Sequence, residues 1–86
     1  MIRIELFGVP RLRAGVGAVS FEAANVGQAL AGLAAACPPL AGSVVINGGV
    51  HPAYRLSLNG NRFITDPATP LADGDSLLLL AADVGG

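Results

Sequence analysis

One stretch constrains the fold of this chain more than any other: "NVGQALAGLAAACPP", residues 25–39. Val26, Ala29, Leu30, Leu33, Ala36 and Cys37 fall at i, i+3, i+4, i+7, i+10 and i+11 and so line one face of an α-helix. Asn25 stands at the N-cap position, where its side chain can accept from a free first-turn amide. Pro38-Pro39 stops the helix, because neither ring has an amide to continue it. The spacing predicts a helix over residues 26–37. A single amphipathic helix must bury its stripe against something, and the rest of the chain offers only strands.

Those strands show as alternation. Ile2, Ile4 and Leu6 share one face, with Arg3, Glu5 and Phe7 on the other. Residues 8–17, "GVPRLRAGVG", are dense in glycine and read as a loop. "AVSFEA" follows with Val19 and Phe21 on one side, so the first two strands form a hairpin. "SVVINGGVHP" reads as a short strand turning at Asn47-Gly48. Tyr54, Leu56 and Leu58 alternate with Arg55 and Ser57. Asn59-Gly60 then supplies the pair favoured where both central residues of a turn need positive φ, predicting a hairpin to Arg62-Ile64. "TDPATPLADGD" is loop, and "SLLLL" is the last strand. The order implies an α+β fold: a sheet of four to five strands, the last returning to the first, with the helix packed on one face.

At 86 residues the chain suits one domain with a modest core. Hydrophobic residues make up 52% and charged residues 13%, so some apolar surface is expected to remain exposed. A net charge of -1 gives no support for nucleic-acid binding. No apolar run is long enough to span a membrane, and the alternating N-terminus does not read as a signal peptide. The one cysteine, Cys37, excludes an internal disulfide and fits a reducing compartment, so the expected location is the cytoplasm. All five basic residues are arginine, leaving the N-terminus as the only primary amine.

Conventional catalysis finds little footing. There is no phosphate-binding glycine-lysine motif, no zinc-ligand spacing and no nucleophile elbow. Cys37 lies on the apolar helix face and reads as a core residue. His51 reads as a loop histidine beside Pro52, and Asp73-Gly74-Asp75 as turn chemistry instead of a cation site. No metal or bound cofactor is expected. What remains is the ending. Gly85-Gly86 follows a buried strand by a few residues, so residues 82–86 are expected to form a flexible arm beyond a domain of residues 1–81. Fully extended, those five residues reach roughly 16 Å. Without Cβ atoms, the glycines could enter a channel closed to other residues. The arm would carry the α-carboxylate of Gly86, a poor electrophile until ATP converts it to an acyl adenylate. The chain shows no nucleotide site, so that step would fall to another protein.

"TPLADGDSLLLLAADVGG", preceded by "LSLNGNRF", resembles the MoaD/ThiS family of ubiquitin-like sulfur carriers. That resemblance implies a β-grasp fold and a carrier that is a cosubstrate and not an enzyme, possible as the small subunit of a synthase complex. It implies an adenylyltransferase of the ubiquitin-activating type that consumes ATP at Gly86. A sulfurtransferase persulfide would then yield a C-terminal thiocarboxylate, and an acceptor enzyme would take the sulfur. Molybdopterin synthesis, with a large synthase subunit as acceptor, is the leading route; cysteine and thiamin biosynthesis are the alternatives. Molybdopterin members often end with prolines before the glycines, whereas this chain has Ala81, Ala82, Asp83 and Val84. Residues 43–54 are longer than in the compact thiamin-type carriers, which weakens that assignment. A ubiquitin-like modifier or interaction module is the reading of a different class. The absence of lysine would bar it from lysine-linked chains of itself.

The leucine run divides by the period of 2. The resemblance to ubiquitin places Leu77 and Leu79 against the helix and Leu78 and Leu80 outward. The expected partner-binding surface is therefore Leu78 and Leu80 with Leu56 and Leu58 of strand 54–58, continued by Asp83 and Val84 of the arm. Gly85 and Gly86 carry the chemistry.

Overall fold

A computed structural model describes residues 1–82. Seven strands and two helices follow in order: β1 (Ile2–Leu6), α1 (Val9–Ala14), β2 (Ala18–Phe21), α2 (Val26–Ala36), β3 (Val45–Ile46), β4 (Gly49–Val50), β5 (Tyr54–Leu58), β6 (Arg62–Ile64) and β7 (Ser76–Ala81). Five of the strands form one mixed sheet in the order β2-β1-β7-β5-β6. The last strand runs parallel beside the first, with Ile4 opposite Leu77 and Leu6 opposite Leu79, and every other pair in this sheet is antiparallel. β3 and β4 make a separate two-residue hairpin. The α+β layout with one main helix over one sheet face is therefore the architecture found.

α2 covers the sheet with Val26, Ala29, Leu30 and Leu33, all buried. They meet Ile2, Ile4 and Leu6 of β1, Leu56 and Leu58 of β5, and Leu77 and Leu79 of β7. The alternation of apolar residues along each strand is what makes this layer continuous. The start of α2 is fully capped. Asn25 Oδ1 accepts from the Gln28 amide at 2.8 Å, and Gln28 Oε1 accepts from the amide of Ala24, one residue before the cap, at 2.8 Å. The Val26 and Gly27 amides donate to the Thr69 and Pro67 carbonyls. The loop before β7 thus ties the helix to the strand it covers. At the other end Cys37 is the C-cap residue, and Pro38–Leu40 forms one 3-10 turn.

Both Asn-Gly pairs turn hairpins. Asn47 and Gly48 have φ of 50° and 76°, and Asn59 and Gly60 have φ of 53° and 72°. Two consecutive left-handed residues match the twist of the flanking strands, which is why this dipeptide is favoured there.

Residues 8–17 depart from the expected loop. Val9–Ala14 forms the short helix α1, with Pro10 buried in its first turn. Gly15 closes it in the left-handed conformation at φ 76°, its amide donating to the Arg11 carbonyl. Proline at a helix start and glycine just past its end favour a helix, although the same residues act as breakers elsewhere. Among the described residues no helix is long and apolar enough to cross a membrane.

Candidate docking face at the end of the last strand

The sheet has one covered face and one open face, and register decides which residues lie on each. Leu77 and Leu79 are fully buried against α2, whereas Leu78 and Leu80 are only partly buried on the opposite side. Glu5 pairs with Leu78, which pairs with Ser57, which pairs with Phe63. Arg55 pairs with Leu80. These residues form the open face, because directly opposed residues in a sheet share a side.

This corrects one expectation. Leu56 and Leu58 do not share the open face with Leu78 and Leu80. They pair with Leu79 and Leu77, and are 1% and 8% exposed, within the core. The residues that β5 contributes to the open face are Arg55 and Ser57. Strand alternation separates the two sets, and the pairing to β7 sends the polar set to the side of Leu78 and Leu80.

The open face is apolar where β7 ends. Phe7, Gly8, Leu78, Leu80 and Ala81 line a shallow hollow of about 320 Å³ whose walls carry almost no polar surface. Phe7 is 43% exposed and Phe63 is 57% exposed, both large apolar side chains left in water. The Arg55 guanidinium carbon lies 5.6 Å from the Phe63 ring centroid, a cation–π distance, so this part of the patch has a charged cover. Phe7, one residue past β1, was legible as an outward residue from alternation alone. Phe63 and Gly8 had no such signal, since their place depends on the pairing of β6 and on the turn into α1.

Ala82 follows β7, and its amide donates to the Ala53 carbonyl at 2.8 Å. Asp83, Val84, Gly85 and Gly86, four of the expected site residues, lie outside the described residues. The other residues weighed for chemistry have structural surroundings. Cys37 is 4% exposed in the core. His51 Nδ1 accepts from the Ala53 amide at 3.0 Å. Asp73 pairs with the N-terminal amine of Met1. The Asp75 carboxylate accepts from the Ala72 amide and from the Asn59 side chain, which hold its pKa below the ordinary value of 3.8.

A helix lying across a mixed sheet whose first and last strands are parallel neighbours defines a β-grasp, ubiquitin-like protein. The likeness to the MoaD/ThiS sulfur carriers, first read from the C-terminal motifs, extends over the whole fold. The chain is similar to SAMP1 from Haloferax volcanii, at 28% identity over 99% of this chain and 98% of that one, with a TM-score of 0.83. It has the fold of a chain in the BexX/CysO complex from Amycolatopsis orientalis, at 18% identity over all of both chains and a TM-score of 0.81. It also has the fold of a chain in the complex of subunits 1 and 2 of the molybdopterin-converting factor from Helicobacter pylori. There the identity is 21%, over 99% of this chain and 97% of that one, with a TM-score of 0.66. No protein-family model and no curated protein sequence matches the chain.

Proposed function

We propose that this protein is a sulfur carrier whose chemically active group is the Gly86 carboxylate. The observation that carries the reading is the apolar hollow of Phe7, Leu78, Leu80 and Ala81, placed beside the end of the strand that leads to Gly85-Gly86. Exposed apolar area of this kind on a small protein is used to dock partners. An adenylyltransferase of the ubiquitin-activating type supplies ATP chemistry: the Gly86 carboxylate attacks the α-phosphate, forming an acyl adenylate and releasing pyrophosphate. A sulfurtransferase persulfide then attacks the acyl carbon and AMP leaves. A second thiol then attacks the sulfurtransferase sulfur of this acyl disulfide, forming a new disulfide with it and expelling the thiocarboxylate. A sulfur-acceptor enzyme takes the charged carrier on the same docking face. The chain binds no cofactor of its own and acts in the cytoplasm as a cosubstrate. Molybdopterin synthesis is the route proposed first, with cysteine and thiamin biosynthesis as the alternatives. Two of the similar structures are complexes with a second protein, which supports a docked mode of action.

A second reading has its own support: two of the structures at 28% identity are of a small archaeal modifier protein. A modifier would use the same activated Gly86 to acylate amines of other proteins. Intact mass decides between the two. The chain is coexpressed with the adenylyltransferase and sulfurtransferase of its own genome and weighed. A gain equal to sulfur replacing oxygen, lost on deletion of Gly86, supports the carrier. Amide adducts on other proteins without that gain support the modifier, and an unchanged mass with no adducts defeats both.

A further inference from the structure

An activated Gly86 acyl group would react with any accessible amine or thiol within reach, including those of its own chain. We infer that the fold leaves no free nitrogen or sulfur nucleophile of its own chain within reach of its C-terminus. An activated Gly86 is then passed to another molecule and not back onto its own chain. This rests on the proposal that Gly86 is activated, and it adds how the rest of the chain is built around that chemistry.

Four observations support it. The sequence has five arginines and no lysine, so the Met1 α-amine is its only primary amine. Guanidinium stays protonated and does not serve as a nucleophile. The Met1 amine lies at the far end of the molecule. It pairs with Asp73 and, at 3.2 Å, with Glu22, and the Met1 carbonyl accepts from the Gly74 amide. Met1 therefore sits level with the residues before β7, and the tail begins only after Ala81. Retracing the six residues of β7 takes about 20 Å at about 3.3 Å per residue, while residues 82–86 reach roughly 16 Å. The tail falls short of the amine.

The single thiol, Cys37, is 4% exposed and packed in the core beneath α2. The remaining candidate is His51, two residues before Ala53, whose carbonyl holds the Ala82 amide. It is thus the nucleophilic side chain nearest the exit. Its Nδ1 accepts from the Ala53 amide at 3.0 Å, so that nitrogen carries no proton and its lone pair is engaged. In the neutral ring the proton then sits on Nε2, which leaves no free lone pair to attack an acyl group. Serine, threonine and tyrosine hydroxyls are weak nucleophiles without an adjacent base.

The reaction avoided is simple aminolysis. A neutral amine attacks the Gly86 carbonyl carbon, a C–N bond forms, the leaving group departs with the bonding pair, and the amine loses a proton to solvent.

The test needs no partner. A C-terminal thioester of the full chain is made through an intein with 2-mercaptoethanesulfonate and left in mildly alkaline buffer at low micromolar concentration. Products are followed by intact mass. The wild-type chain is expected to give the hydrolysed acid, with no lactam, no dimer and no transfer to Cys37. Arg55→Lys and, independently, Ala53→Lys place an amine on exposed positions beside the exit. Both should form a lactam, lighter than the acid by one water, at least ~10-fold faster than the wild type, because a tethered amine has a high effective concentration. A wild-type chain that forms lactam as fast as the variants overturns the inference. So does a result in which both lysine variants give only acid, since placement would then not be what protects the chain. Because the thioester is made chemically, the outcome does not depend on whether a cellular enzyme adenylates Gly86; the coexpression experiment decides that separately.

Discussion

Asn59 and Asp75, sixteen residues apart in sequence, hold the β5–β6 turn against the start of β7. Asn59 Nδ2 donates to Asp75 Oδ1 at 3.1 Å, and Asn59 Oδ1 accepts from the Ser76 amide at 2.8 Å. The Asn59 amide adds a bond to the Ser76 carbonyl at 2.7 Å. Asp75 Oδ2 meanwhile accepts from the Ala72 amide at 2.8 Å. The "LNG" and "DGD" segments are therefore one structural unit, and it sets where β7 enters the sheet.

That unit makes a pH prediction. The Ala72 amide first, and the Asn59 side chain second, lower the Asp75 pKa below 3.8 in the folded protein. A depressed carboxylate pKa contributes stability that is fully present above the unfolded value and is lost as pH falls through the folded one. Asp75→Asn should therefore remove part of the stability loss seen below about pH 4, measured as the difference between urea midpoints at neutral and acid pH. An unchanged acid dependence would mean the contact contributes nothing in solution. Asn59→Ala should cost about 1–2 kcal/mol at neutral pH, because it loses the Ser76 bond and places a Cβ-bearing residue without a local hydrogen bond at positive φ.

Gly32 and Phe21 make a packing prediction with a change of sign. A Cβ on Gly32 would stand 2.6 Å from Phe21 Cε1 and 2.7 Å from its Cζ. Alanine at a helix interior position is intrinsically favoured over glycine by about 1 kcal/mol, while forcing atoms into a filled site costs about 1–3 kcal/mol. Gly32→Ala alone should be neutral to destabilising. In a Phe21→Leu background, where those ring atoms are gone, the same change should stabilise. A double-mutant cycle showing no coupling would contradict this contact.

The two faces of β7 should respond oppositely to substitution. Leu79→Ala empties a fully buried site and should cost about 2–5 kcal/mol. Leu78→Glu lies on the open face and should leave the unfolding free energy within about 1 kcal/mol of wild type while abolishing partner docking. Normal thiocarboxylation of Leu78→Glu would place the docking surface elsewhere. Leu56→Glu, by contrast, should unfold the protein outright, since Leu56 is 1% exposed.

Cys37 should behave as a core side chain. Buried thiols exchange with solvent reagents only through opening of the structure. Labelling by a disulfide reagent should be at least ~100-fold slower in the native protein than in guanidinium, reflecting the small open population. Fast native labelling would show that the end of α2 opens readily.

Much of the architecture was written locally. The i, i+3, i+4 spacing of Val26, Ala29, Leu30 and Leu33, with Asn25 before and two prolines after, requires a helix of that length because each signal acts within a few residues. Both Asn-Gly turns are legible for the same reason: the left-handed conformation is a property of the dipeptide. α1 was missed because glycine and proline carry opposite meanings inside and at the ends of a helix, and which meaning applies depends on whether α1 can pack. It packs because Pro10 is buried at its first turn.

Of the open sheet face, sequence alone determined that alternate leucines of β7 part to opposite sides, since side-chain direction in a strand has a fixed period. It determined the Gly85-Gly86 ending and the lack of lysine as well. Tertiary structure decided what stands beside those leucines. Leu56 and Leu58, apolar and alternating, looked as fit for a docking face as Leu78 and Leu80. Their antiparallel register with Leu79 and Leu77 sends them under α2, and it brings Arg55 and Ser57 to the open side. The local alternation of residues 54–58 already favours the leucines for the core, but which strands become neighbours, and so what stands beside Leu78 and Leu80, is a long-range property that no local pattern encodes.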